Sequence, residues 1–144
     1  MLEVGIRSIH FIGIMVLFSA VFAEHLLITK EMKIEQFKKV AIIDAVYGVS
    51  ALLVLGAGLM LWLSVGNTPE FYSANWVFHL KLTLFVAVLI LSLFPTIFLI
   101  KNRKHQEDTI IIPGYLIMMI RVELLLLICI PIVATIMAKG LGIN

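Results

Sequence analysis

VFHLKLTLFVAVLILSLFPTIFLI, residues 77–100, contains one lysine, one histidine and no acidic residue. At 1.5 Å per helical residue it exceeds the ~30 Å hydrocarbon core of a bilayer. Three further runs of similar length and polarity lie at residues 6–28, 42–65 and 113–137. The intervening segments are short, and no stretch alternates apolar with polar residues as a membrane β-barrel strand would. The expected architecture is therefore all-α, a single integral-membrane domain over residues 1–144 built as a four-helix up-and-down bundle. The first run has no small-x-small cleavage site before its polar end and carries His10 and Glu24, so it reads as a retained helix with the mature chain starting near Met1.

Composition agrees with that frame. Of 144 residues, 62% are hydrophobic and 14% charged, with a mean hydropathy of +1.12, whereas soluble domains are about 25% charged. No room remains for a separate catalytic or nucleic-acid-binding module, and the net charge of +2 is spread over connectors, so the expected partner is the lipid bilayer and not nucleic acid. A lone cysteine, Cys129, excludes an intrachain disulfide, a zinc cluster and a CxxC pair.

Orientation follows from Lys and Arg placement. The first connector carries Lys30, Lys33, Lys38 and Lys39 and the third Lys101, Arg103 and Lys104, against only Arg7 and Lys139 at the ends, which is seven against two. The positive-inside rule then puts both termini on the outer side. Trp62, Phe71, Tyr72 and Trp76 would form the outer aromatic belt, with Asn67, Thr68 and Pro69 turning the second connector.

Polar residues at membrane depth cost a few kcal/mol or more, so each should face the bundle with a partner or a task. On the first helix His10, Gly13, Leu17, Val21, Glu24 and Ile28 share a face, and on the second Asp44, Gly48, Ala51, Leu55, Gly58 and Trp62 do, with Tyr47 beside them. On the third, Lys81, Val88, Ser92, Pro95 and Leu99 align, while His79 points away from Lys81. Pro95 should kink the helix and free a carbonyl for Ser92 or a ligand. Two polar levels result, an outer one of His10, Lys81 and His79 and an inner one of Glu24, His25, Asp44, Arg121 and Glu123. Arg121 is expected to pair with Glu24 or Asp44. Plainer roles compete: His10 bonding a carbonyl, Lys81 snorkelling, Asp44 capping the second helix, and Glu24 and His25 marking the boundary.

The segments IHFIGIMVLFSAVFAEHLL, IDAVYGVSALLVLGAGLMLWL, FYSANWVFHLKLTLFVAVLILSLFPT and MIRVELLLLICIPIVATIMAKG together resemble a bacterial family of small four-helix inner-membrane proteins. That family is distantly similar to the HemJ-type protoporphyrinogen IX oxidases, multi-pass membrane proteins that bind haem b and oxidise a porphyrinogen. The shared elements are a first-helix histidine, an aromatic-then-lysine start to the third helix, and Arg, Glu and Pro in the last. The resemblance implies that His10 ligates haem iron, that Lys81 stands where the third-helix lysine does with His79 beside it, and that Arg121, Glu123 and Pro131 fall at the last-helix motif. On the helix faces read above, Gly13 and Gly58 would line such a cofactor and Glu24, Asp44, Arg121 and Glu123 would do catalytic or proton-carrying work. It implies an oxidoreductase linked to quinone or porphyrin in the bacterial inner membrane, and leaves room for a homo-oligomer. In this chain Trp76 stands one residue too early for a W-x-H-x-K pattern, and Arg121 and Glu123 are two apart instead of about four. A non-catalytic assembly or accessory protein and a small proton- or cation-coupled transporter are the competing expectations.

Overall fold

A computed structural model describes residues 1–65 and 74–139. Four helices long and apolar enough to cross a membrane carry the architecture. Helix α1 spans Leu2–Leu27, α2 Ile34–Met60, α3 Trp76–Lys101 and α4 Gly114–Ala138. The principal packing is of α1 on α2 and of α3 on α4, and contacts of α1 with α4 and α2 with α3 join the two hairpins into the bundle.

Helix boundaries depart from the hydrophobic runs where charged residues continue a helix. Helix α2 begins at Ile34, not at residue 42, because EQFKK and the residues after it remain helical with Phe37, Val40 and Asp44 buried at helical spacing. Asp44 therefore lies ten residues, about 15 Å, inside α2 and does not cap it. Helix α1 gains a turn, held by Arg7 donating to Glu3 at 2.8 Å. Beyond Met60 the chain widens into a π-helical turn, Leu61–Val65. At the start of α3, Asn75 Oδ1 accepts from the Val77 N–H at 2.9 Å, a side-chain N-cap.

The first and third connectors hold an element absent from the sequence reading. Strands β1, Glu31–Lys33, and β2, Thr109–Ile111, pair antiparallel with Met32 opposite Ile110. Met32, Ile110 and Ile112 turn into the core beneath the helices, each at most 5% exposed. The two lysine-rich connectors thus share one end of the bundle. Of the expected aromatic belt, Trp76 is exposed, whereas Trp62 turns inward and packs edge-on against Phe78, ring centroids 5.1 Å apart. Phe71, Tyr72 and the Asn67, Thr68, Pro69 turn lie outside the described residues.

Candidate functional site

The inner polar level gathers where α1, α2 and α4 converge. Glu24 and Glu123 are each 2% exposed and Asp44 is 6% exposed, so three carboxyls from three helices are almost wholly removed from solvent. Asp44 lies against Glu24 and near Glu123. Thr96 on α3 donates its hydroxyl to Asp44 Oδ1 at 3.1 Å, bringing the fourth helix into the cluster. One oxygen each of Glu24 and Glu123 and the hydroxyl of Tyr47 are buried without a hydrogen-bond partner. The Tyr47 hydroxyl faces Ser92 and the three carboxyls.

These positions follow from helical periodicity. Gly13, Leu17, Ala20, Val21 and Glu24 form the buried stripe of α1, close to the face read from the sequence. On α2 the stripe is rotated: Tyr47, Ser50, Ala51, Val54 and Ala57 are buried alongside Asp44, while Gly48, Leu55, Gly58 and Trp62 are only partly covered. On α3, Val88, Ser92, Pro95 and Leu99 face in as expected. Ser92, however, donates to the Leu89 carbonyl at 2.7 Å and not to the Leu91 carbonyl that Pro95 leaves without its donor.

Arg121 does not join this cluster. It is exposed on the outside of α4, and among the described residues no acid pairs with it. The expected contact with Glu24 or Asp44 is absent because residues two apart on a helix point about 160° away from each other, and it is Glu123 that takes the inward face. The acids have no cationic side chain in ion-pair contact among the described residues. Among the described residues no group of three or more His, Cys, Asp or Glu side chains is arranged to hold a metal ion.

The outer level is organised differently. His10 Nδ1 lies 3.1 Å from the Val54 carbonyl oxygen, which fixes that nitrogen as the donor and leaves Nε2 with its lone pair. The imidazole lies over Gly58, where an added Cβ would sit 3.3 Å from its Cε1. Lys81 is half-buried, with its Nζ 5.3 Å from the Phe78 ring centroid and close enough to His10 to act on it electrostatically. His79 is exposed, on the far side of α3 from Lys81, and sits edge-on to Phe78. His25 is partly covered near the end of α1 and His105 lies in the third connector, 3.1 Å from the Thr109 carbonyl.

As a haem site this arrangement fits in one respect and fails in another. A histidine held through Nδ1 with Nε2 open has the polarity of an axial ligand. The space that Gly13 was expected to leave for a macrocycle is instead filled by Val54, whose Cγ2 would be 2.8 Å from a Cβ at residue 13. Gly13 serves close approach of α1 to α2. What periodicity did not assign to the inner site is the Tyr47 hydroxyl on the buried stripe and the Thr96 bond to Asp44. The only available signal was polar side chains within apolar runs at the depth of Asp44.

No curated protein and no solved structure matches the chain. One family model covers residues 2–142, nearly the full length, under the description predicted membrane protein (DUF2214). The four apolar helices agree with that description, and the chain belongs to this family of membrane proteins.

Proposed function

We propose that the protein is a small proton-coupled membrane protein whose proton-binding site is Glu24, Asp44 and Glu123, with Thr96 bonded to Asp44 and the hydroxyls of Tyr47 and Ser92 nearby. The observation that carries this reading is the pair of glutamates, each 2% exposed and each holding an unpartnered oxygen, gathered with Asp44. In an apolar interior without a countercharge, carboxyls are stable when they hold or share protons, and groups of this kind mark proton pathways. With the lysine-rich connectors on the cytoplasmic side of a bacterial inner membrane, as the positive-inside rule favours, the cluster would lie toward the cytoplasmic leaflet. Infrared difference spectroscopy of the reconstituted protein tests the site. A band from a protonated carboxyl should be present at neutral pH and lose intensity in Glu24→Gln and Glu123→Gln. Proteoliposomes bearing these variants should also dissipate an imposed pH gradient more slowly than the unaltered protein. Absence of the band, together with equal dissipation by all three proteins, refutes the reading.

A second reading has one observation in its favour. The His10 Nδ1 contact with Val54 leaves Nε2 available, as a haem b ligand requires, and Lys81 would then meet a propionate while a quinone or porphyrin served as electron partner. The resemblance to HemJ-type oxidases belongs to this reading. Protein purified after expression with ample haem should show a Soret band that His10→Ala abolishes and His105→Ala leaves unchanged. A colourless, folded preparation removes it, and with the carboxyl variants silent as well, a non-catalytic assembly role is what remains.

A further inference from the structure

Arg121 was expected inside the bundle and stands outside it, on the edge of a groove of about 480 Å³ between the end of α1 and the start of α4. The groove is lined by Ile28, Thr29, Lys30, Gly114, Met118 and Arg121, with Ile117 completing its wall. We infer that this groove binds the phosphate headgroup of an anionic phospholipid, with the guanidinium of Arg121 and the ammonium of Lys30 as its recognising groups.

Several observations support the assignment. Both cations are exposed and make no ion pair with a described residue, and Glu31, next in sequence to Lys30, pairs with neither of them. Arg121 lies seven residues, about 10 Å, above Gly114 on a helix that spans the membrane, so its long side chain extends down the apolar wall toward the headgroup level. A guanidinium in that position needs a countercharge, and lipid phosphate is the anion that a bilayer presents there. Helix α4 starts after Pro113 without a side-chain cap, and its first residue, Gly114, lines the same groove, so the positive end of the helix dipole adds to the groove's preference for an anion. The Lys30 backbone is itself fixed there, because its carbonyl accepts from the Ile112 N–H at 2.7 Å. The groove opens at the bundle end that also carries Lys33, Lys38, Lys39, Lys101, Arg103 and Lys104, the end that an anionic leaflet would attract. Ile28, Ile117 and Met118 supply the apolar surface on which the first segment of an acyl chain would lie. This inference is independent of the proton-site reading, since no residue is common to both.

Competitive lipid retention measured by native mass spectrometry tests it, using the full chain in mild detergent with phosphatidylglycerol and phosphatidylcholine of identical acyl chains. The unaltered protein should retain phosphatidylglycerol in preference. Arg121→Gln should lower that preference about fivefold, as expected for loss of one cation near a membrane surface. Lys30→Glu, a change at an exposed connector position, should lower it further, and Lys139→Gln, at the opposite end of α4, should leave it unchanged. Equal retention of the two lipids by the unaltered protein overturns the inference. So does an unchanged preference in Arg121→Gln and Lys30→Glu, or displacement of the lipid by millimolar inorganic phosphate, which would assign the groove to the free anion.

Discussion

Replacing Gly13 with alanine would test the packing that joins α1 to α2. The new Cβ would lie 2.8 Å from Val54 Cγ2, 3.7 Å from the Val54 backbone nitrogen and 3.8 Å from the Ser50 carbonyl oxygen. Val54 is 5% exposed and, being β-branched in a helix, has one strongly preferred rotamer. Its methyl cannot swing clear, so the helices must separate by roughly 0.5–1 Å to restore ordinary contact. Overpacking of this kind costs about 1–3 kcal/mol, offset by up to ~1 kcal/mol of better helix propensity, and Gly13→Ala should lose about 1–2 kcal/mol overall. Alanine at Gly5, Gly48 or Gly56 would meet no atom within 4 Å, so those variants should match or slightly exceed the parent. Equilibrium unfolding in mixed detergent micelles, followed by loss of helicity, measures the difference. The double variant Gly13→Ala with Val54→Ala should be more stable than the sum of the single losses predicts, by at least ~0.5 kcal/mol. A Gly13→Ala protein as stable as Gly48→Ala, or strict additivity in the double variant, would refute the close approach.

Asn75→Ala removes the side-chain cap of α3 and should cost about 1 kcal/mol in the same unfolding assay, with Asn75→Asp retaining most of the stability. Thr96→Val deletes the one bond between α3 and Asp44 and should cost roughly 0.6 kcal/mol, the usual scale for such bonds within membranes; equal midpoints for variant and parent would count against that bond. Cysteines introduced by Lys33→Cys and Thr109→Cys stand opposite one another in the ribbon, at a Cα separation a disulfide can span. Mild oxidation should link them, and a free-thiol product would reject the strand register. Reporter fusions after Lys39 and after Lys104 should both read cytoplasmic, and a fusion after Asn144 periplasmic; opposite readings from the two connectors would contradict their shared end.

Periodicity was sufficient wherever a helix had a single apolar stripe. The α1 face through Gly13, Leu17, Val21 and Glu24 and the α3 face through Val88, Ser92, Pro95 and Leu99 are legible because no competing residue shifts them. Helix α2 was harder, since small residues on both sides of Asp44 let the buried face rotate toward Tyr47 and Val54. Its start was misplaced because hydropathy detects membrane depth and not helicity, and residues 34–41 are helical without being a uniform apolar run. Arg121 shows a different gap. Charge complementarity with Glu24 and Asp44 was sound in principle, but the two-residue offset from Glu123 allowed only one of the two to point inward, and only packing decided which. The ribbon had no usable signal, since three-residue strands with one buried residue each carry no periodicity.

The ribbon has a bearing on how the protein is made. Glu31 is synthesised well before its partner Ile111, and two complete hydrophobic spans separate them. During biogenesis the first hairpin must therefore dwell in the bilayer with one strand unpaired and Met32 lacking its cover, until the third connector emerges on the same side. Joining of the strands then tethers the first hairpin to the second at a single end, before or while the last helix, Gly114–Ala138, is inserted. A chain inserted with its second half inverted would carry Thr109 to Ile111 to the opposite face, lose this latch and expose unpaired backbone and apolar side chains, the features by which quality control recognises a misassembled membrane protein.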